Sequence, residues 1–89
     1  MAKKVTVEFI TKPDCHLCDD ARAIINPLIE RLQNEGLLIN FMELNMLDES
    51  SLIKKYSEDI PVVLINGKRH SYWTVDGQKL ETSLRKKLK

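Results

Sequence analysis

The sequence predicts an α/β protein with a mixed four-stranded sheet and three helices, in the order βαβαββα. Residues 4–44 follow a strand–helix–strand pattern, which is typical of two parallel strands joined by a right-handed crossover. Asn66-Gly67 then separates two further strand patterns and predicts a two-residue antiparallel hairpin. The chain has 89 residues, so we expect one domain spanning residues 1–89.

The first strand and the first helix have the clearest periodicity. Lys4 to Thr11 alternates, with three apolar side chains on one face: Val5, Val7 and Phe9. From about Cys15 to Asn34, apolar residues recur at helical spacing: Leu17, Ala21, Ile24, Ile25, Leu28 and Leu32. Leu37 to Leu44 is apolar on both faces, which predicts a strand that is covered on both sides.

The middle of the chain predicts a short helix followed by a buried strand. Asp48 is placed to cap the helix, whose apolar residues are Leu52, Ile53 and Tyr56. Pro61 then comes directly before the continuous apolar strand 62–65. A proline at this position is tolerated because the first residue of a strand can lack a backbone donor.

The last segment predicts the returning strand and a third helix. The strand runs from Arg69 to Val75, and because Tyr72 and Trp73 point to opposite faces, we expect one of them to pack under the last helix. Asp76 is placed to cap that helix, whose apolar residues are Leu80, Leu84 and Leu88.

Composition excludes several function classes. The chain is 43% hydrophobic and 30% charged, with 14 basic and 13 acidic residues, so it resembles an ordinary globular domain rather than a disordered one. A net charge of +1 gives no large basic field for nucleic acid. The longest apolar run, residues 62–65, is far too short for a membrane span, and Met1-Ala2-Lys3-Lys4 is not followed by an apolar signal core. We therefore expect a cytoplasmic monomer that binds neither nucleic acid nor membrane.

The two cysteines, Cys15 and Cys18, are the most informative residues. With two residues between them, a disulfide closes too small a loop to add much stability, so a purely structural bond is disfavoured. An intrinsic zinc site is also disfavoured, because zinc usually takes four ligands and His16 and His70 lack ligand spacing. A cysteine pair between a strand and a helix favours thiol–disulfide chemistry.

The position of the pair assigns each cysteine a role. Cys15 begins the helix, where unpaired backbone donors and a partial positive charge favour a thiolate, so it is the expected nucleophile. Cys18 lies one turn inside and is the expected resolving thiol. Lys12 and a protonated His16 would favour the thiolate, and His16 is interpreted as a residue that tunes its stability. Three nearby carboxylates would oppose it: Asp14, Asp19 and Asp20.

The stretch Lys12-Pro13-Asp14-Cys15-His16-Leu17-Cys18-Asp19 resembles the glutaredoxins, in particular a glutaredoxin-like branch of the thioredoxin superfamily that carries C-H-L-C. The resemblance covers the whole chain and implies a thioredoxin-like fold of glutaredoxin type. It implies that the Ile60-Pro61 bond is cis and faces the cysteines, and that Ile60 offers its backbone to a peptide-like thiol substrate. It also implies that Lys12 assists the thiolate and binds a glutathione carboxylate.

The chain departs from the family pattern at the start of the last helix. Glutaredoxins usually carry two glycines and then an acidic residue there, which hold the amino end of glutathione, whereas this chain has Asp76-Gly77. We therefore expect weak glutathione recognition. The chain also lacks two features of thioredoxins, because Phe9 stands in place of their buried acid and Asp14 in place of their tryptophan.

The expected function is a dithiol oxidoreductase that reduces protein or glutathione mixed disulfides. It requires no resident cofactor or metal, and glutathione or a reductase serves as the reductant. The alternative is a non-catalytic carrier module of the same fold, which docks one protein or holds an iron–sulfur cluster between two chains.

Overall fold

The computed structural model describes residues 3–89. Met1 and Ala2, on which the predictions about a signal sequence and about the domain bounds partly rest, lie outside the described residues. The strands are β1 (Lys4–Thr11), β2 (Leu38–Asn45), β3 (Val62–Ile65) and β4 (Lys68–Tyr72). The helices are α1 (His16–Asn34), α2 (Ser50–Tyr56) and α3 (Gly77–Lys87), and a 3-10 turn covers Met46–Asp48. This is the predicted order βαβαββα.

The four strands form one mixed sheet in the order β2-β1-β3-β4. β1 and β2 are parallel, while β3 is antiparallel to both β1 and β4. The carboxyl ends of β1, β2 and β4 and the amino end of β3 therefore lie at the same end of the sheet. The chain segment with the cysteines leaves β1 at this end.

The Asn66-Gly67 turn has the geometry that its sequence predicts. Both residues have positive φ, 50° and 82°, as a two-residue hairpin turn requires. Asn66 also bonds to the neighbouring strand, because Thr6 N–H donates to its Oδ1 at 2.9 Å and its own N–H donates to Thr6 O at 2.8 Å. These bonds hold the turn between β3 and β4 against β1, at the end of the sheet opposite the cysteines.

Each face of the sheet carries its own apolar cluster, since neighbouring strand residues point to opposite faces. The larger cluster joins Val7, Phe9 and Val63 to α1 and α3, where Leu80 and Leu84 are fully buried. The second cluster lies on the other face and contains Ile10, Met46, Tyr56, Val62 and Leu64, together with Cys18 and Ile60. The site is therefore built on the second cluster.

The prediction that the second strand is covered on both sides is wrong. β2 is an edge strand in which Leu38 and Met42 are exposed and Ile39 is the buried residue. The predicted inward position of Leu17 is also wrong, because Cys18 and Ala21 occupy the inward positions of the first turns of α1 and leave Leu17 exposed.

Asp48 does not cap the short helix as predicted. It belongs to the 3-10 turn, so α2 begins one residue later, after Glu49, with no side-chain cap. Asn45 is the residue whose side chain forms a cap in this region, but it caps the 3-10 turn. Its Oδ1 accepts the Leu47 N–H at 2.9 Å.

Neither Tyr72 nor Trp73 packs under the last helix, contrary to the prediction. β4 ends at Tyr72, and Trp73 has a φ of 65°, so strand alternation does not extend to it. Val75 and the α3 leucines fill the space beneath α3, and both aromatic rings are exposed, 5.1 Å apart in an edge-on arrangement.

Among residues 3–89, none of the helices combines the length and the apolar character needed to cross a membrane.

Candidate active site

Cys15 is the N-cap residue of α1. Its Sγ accepts the Cys18 N–H at 3.1 Å, and its carbonyl oxygen accepts the Asp19 N–H at 3.1 Å. A sulfur in this position takes up a backbone donor that the first turn of a helix otherwise leaves unpaired. The same hydrogen bond is stronger when the sulfur carries a negative charge, so the local geometry favours a Cys15 thiolate.

Cys15 and Cys18 form a disulfide, with their Cα atoms 5.2 Å apart. Cys15 is half-buried at the edge of the second apolar cluster, while Cys18 lies inside it with 1% of its surface exposed. An incoming molecule therefore reaches Cys15 more readily than Cys18. This arrangement suits an exposed attacking thiol and a shielded resolving thiol.

In the reduced protein, iodoacetamide is expected to alkylate Cys15 before Cys18 at neutral pH. The half-buried sulfur of Cys15 is more accessible than the buried sulfur of Cys18, and the positive end of a helix favours a thiolate at its first residue. Mass spectrometry of the protein after partial labelling identifies the modified cysteine. Preferential labelling of Cys18 would contradict the assigned roles.

The Ile60-Pro61 peptide bond is cis, as the resemblance implies. Both side chains are buried, and Ile60 packs in the same apolar cluster as Cys18. Among the described residues, the Ile60 amide and carbonyl have no backbone hydrogen-bond partner. Its backbone is thus free for the peptide pairing that the resemblance implies.

Trp73 holds the chain segment that leads into this proline. Its backbone N–H donates to Pro61 O at 2.8 Å and to Asp59 O at 3.3 Å, and its indole Nε1–H donates to Glu58 O at 2.9 Å. Arg69 pairs with Asp59 at 3.1 Å and lies against the Tyr72 ring. No pattern in the sequence predicts this role for Trp73, because its bonds depend on the positive φ of the residue that follows β4.

Lys12 and His16 flank Cys15 but point to different surroundings. Lys12 is exposed and lines an open cleft of about 340 Å³ together with Arg22 and Glu43. His16 is 87% exposed in its side chain, and its Nε2 lies 3.5 Å from Asp20 Oδ2, one turn further along α1. His16 therefore lies along the helix surface rather than between the two sulfurs.

Asp76 and Gly77 form the start of α3. Asp76 Oδ1 accepts the backbone N–H groups of Gln78 and Lys79 at 3.0 and 3.2 Å, as the predicted cap requires. A Cβ on Gly77 would lie 3.0 Å from Ile24 of α1, so the glycine permits close packing of the two helices. Asp76 lines a cleft with His70 and Lys79, and this cleft is separate from the one that contains Lys12.

An ion-pair network beside the cysteines was not predicted. Arg22 of α1 donates to both carboxylate oxygens of Glu43 on β2, at 2.9 and 2.6 Å, and to Asp19 at 2.8 Å. The hydrogen bonds from Arg22 and then from Thr11 hold the pKa of Glu43 below its usual range. Arg22 and Glu43 are 21 residues apart, and their pairing depends on how α1 crosses the sheet.

Within residues 3–89, no three histidine, cysteine, aspartate or glutamate side chains are grouped so that they could hold a metal ion.

A family model described as "Glutaredoxin-like domain (DUF836)" matches residues 6–85. The match therefore includes β1 from its third residue onward, the other three strands in full, both cysteines, the cis proline and most of α3.

Two curated relatives are similar over most of their length. The glutaredoxin-like protein YDR286C homolog of Dictyostelium discoideum is 29% identical over 92 residues, which cover 98% of this chain and 85% of that protein. An uncharacterized protein of Mycobacterium tuberculosis is 27% identical over 78 residues, covering 88% of this chain and 80% of that protein.

Three solved structures, two of them of thioredoxins, have the same fold. The thioredoxin of Fasciola hepatica superposes with a TM-score of 0.67 at 18% identity, covering 96% of this chain and 82% of that one. A malaria-parasite thioredoxin-2 has a TM-score of 0.67 at 20% identity, covering 97% and 85% of the two chains. A structure described as a malarial protein reaches 0.71 at 18% identity, covering 97% and 99%. At these identities the likeness establishes the thioredoxin-like fold.

Proposed function

Because the chain belongs to the glutaredoxin-like domain family, we propose that it is a dithiol thiol–disulfide oxidoreductase with Cys15 as nucleophile and Cys18 as resolving thiol. One observation carries the proposal. The Cys15 sulfur lies at the start of α1, accepts the Cys18 N–H and is bonded to the Cys18 sulfur. The pair is thus a disulfide in this structure, and we infer that its reduced form keeps both sulfurs in the first turn of α1.

The proposed reaction has two exchange steps. The Cys15 thiolate attacks one sulfur of a substrate disulfide, forms a mixed disulfide and releases the other substrate sulfur as a thiolate, which takes a proton from water. Cys18 then loses its proton and attacks Cys15 Sγ, which forms the Cys15–Cys18 disulfide and releases the second substrate thiolate. Two electrons pass from the protein to the substrate, and a thiol reductant returns them.

The surroundings support a polypeptide as the substrate. Ile60 belongs to the same apolar cluster as the buried Cys18, and its backbone has no backbone partner among residues 3–89, so it can pair with an extended chain as a short edge strand does. Leu17 and Trp73 are exposed near the same edge of the sheet. We propose protein disulfides in the cytoplasm as substrates, and glutathione or a reductase as the electron donor.

The direct test is reduction of a small neutral disulfide, 2-hydroxyethyl disulfide, by the full chain with dithiothreitol as reductant. Catalysed thiol release above the rate of dithiothreitol alone is the expected result. A rate equal to that of dithiothreitol alone would mean that the pair is not a catalyst.

Asp76→Gly is expected to increase glutathione-dependent turnover. In the parent chain, Asp76 uses the first backbone donors of α3 and adds a negative charge where a glutamyl carboxylate would bind, so we expect glutathione binding to be weakened by about tenfold or more. Glycine is a tolerable N-cap that costs only a few tenths of a kcal/mol, so the fold is expected to persist.

The matched control is Asp76→Asn, which keeps the cap and removes the charge. Comparing rates with glutathione and with dithiothreitol separates ligand binding from general reactivity. Fast glutathione turnover by the parent chain, unchanged in Asp76→Gly, would show that glutathione binds on another surface.

A further inference from the structure

We propose that Arg22 is a positioning residue that keeps Cys15 reactive, by neutralising Asp19 one turn along α1 and by tying the start of α1 to the end of β2. This inference rests on the proposed role of Cys15 as the nucleophile. Arg22 lies outside the C-x-x-C motif, and its contribution acts through Asp19 and Glu43.

The Arg22 guanidinium contacts two carboxylates and one aromatic ring. Its Nε and Nη2 bind the two oxygens of Glu43, and its Nη1 binds Asp19 Oδ1 at 2.8 Å. Its guanidinium carbon lies 5.9 Å from the centre of the Phe9 ring. A planar guanidinium can satisfy a carboxylate fork and a third acceptor together, which the ammonium group of lysine cannot match.

Arg22 binds two carboxylates, and Asp19 is the one nearer to Cys15 in the sequence. It lies four residues after Cys15, and its N–H donates to Cys15 O, so the two residues are neighbours on the first turn of α1. An unpaired carboxylate here would oppose a Cys15 thiolate and offset the partial positive charge of the helix start. The ion pair with Arg22 places a positive charge against this carboxylate and so reduces that opposition.

Glu43 connects the same network to the chain that leads into Cys15. Its Oε2 accepts the Thr11 Oγ1–H at 3.1 Å, and Thr11 is only 4% exposed at the end of β1. Arg22, Glu43 and Thr11 therefore join α1, β2 and β1 at the edge of the sheet where the cysteine loop begins. Removing the guanidinium would free two carboxylates and loosen this junction together.

Other charged or titratable residues lie close to Cys15 in the sequence or in segments that share its apolar cluster, and a substitution at position 22 leaves them in place. They belong to the loop before α1, the first turns of α1, the 3-10 turn after β2 and the loop before Pro61: Lys12, Asp14, His16, Asp20, Asp48 and Asp59. A change in Cys15 acidity in an Arg22 variant therefore reports on the network itself.

The test is the pH dependence of iodoacetamide alkylation of Cys15 in the reduced full chain. Arg22→Gln is expected to raise the apparent Cys15 pKa by about 0.5 unit, which slows alkylation about threefold at pH values below the pKa. Arg22→Lys keeps the charge and is expected to fall between the parent and Arg22→Gln. Asp19→Asn is expected to shift the pKa downward, and adding it to Arg22→Gln is expected to restore part of the loss.

Arg31→Gln is the matched control. Arg31 bonds to Glu35 at 3.3 Å and to Glu81 at 2.5 Å, so it also links two elements of the fold, but at the opposite end of α1. It is expected to leave the Cys15 pKa unchanged. An equal shift in Arg31→Gln would mean that the effect is a general loss of stability and would overturn the inference.

An unchanged pKa in both Arg22→Gln and Arg22→Lys, with circular dichroism like that of the parent, would overturn the inference and leave the proposed function intact. If Arg22→Gln fails to fold, an unchanged pKa in Asp19→Asn overturns it instead. A parent Cys15 with the pKa of a free thiol, about 8.5, would overturn the proposed function and this inference together.

Discussion

Cys15→Ser is expected to abolish disulfide reduction, with a loss of at least about a thousandfold in turnover. In the proposed mechanism the half-buried Cys15 sulfur at the start of α1 makes the first attack, and a serine hydroxyl in its place is not ionised at neutral pH. The buried sulfur cannot substitute for it, because Cys18 is 1% exposed. Turnover of 2-hydroxyethyl disulfide measures the loss.

Cys18→Ser is the matched variant, and a different outcome is expected for it. It keeps the first attack and lacks the second, so the protein accumulates as a mixed disulfide with its substrate through Cys15. Mass spectrometry detects the added substrate half, and incubation with a cell extract identifies its protein partners. If Cys15→Ser retains activity and Cys18→Ser loses it, the two roles are reversed.

Phe9→Ala is expected to lower the free energy of unfolding by about 3–5 kcal/mol. Phe9 is fully buried in the larger apolar cluster, and its ring also lies beside the Arg22 guanidinium. The loss is a large part of the total stability of a small domain, which is about 5–15 kcal/mol. Urea denaturation followed by circular dichroism measures it.

Phe9→Leu controls for the chemistry of the substitution. It keeps most of the apolar volume and is expected to cost less than half as much as the alanine variant. Equal losses in the two variants would indicate that the aromatic ring itself matters, and a loss below about 1 kcal/mol in Phe9→Ala would contradict the central packing role of this residue.

The strand and turn signals that depend on local chemistry predicted the fold well. The alternation of Lys4–Thr11 gives β1 with the predicted bounds, and Asn66-Gly67 gives the predicted turn. Asp76 caps α3 through bonds to residues two and three positions ahead, which the sequence alone can predict. These features succeed because each depends on neighbours within a few residues.

The predictions that failed depend on contacts distant in sequence. Leu37 to Leu44 looks like a buried strand, yet sheet order places β2 at an edge, and no local pattern determines sheet order. Trp73 leaves the strand pattern because its backbone turns to bind Pro61 and Asp59. The end of β4 is therefore set by a loop that lies about a dozen residues earlier in the chain.

The candidate site also has features that the sequence predicts and features that depend on contacts distant in sequence. The sequence predicts the C-x-x-C motif and its place at the helix start. The resemblance to glutaredoxins predicts the cis Ile60-Pro61 bond. The Arg22–Glu43 pair was not predicted, because either charge alone is typical of an exposed residue. Lys12 and Asp76 line different clefts, and the prediction that both contact one glutathione molecule stays a prediction.

The position of Trp73 provides an optical signal specific to the active-site loop. It is the one tryptophan of the sequence, it is 51% exposed, and its indole donates to Glu58 O beside the segment that leads into Pro61. Excitation selective for indole therefore observes this segment with no background from other tryptophans. Movement of the loop when a polypeptide docks, or when the cysteine pair changes its oxidation state, becomes a change in emission that needs no added dye.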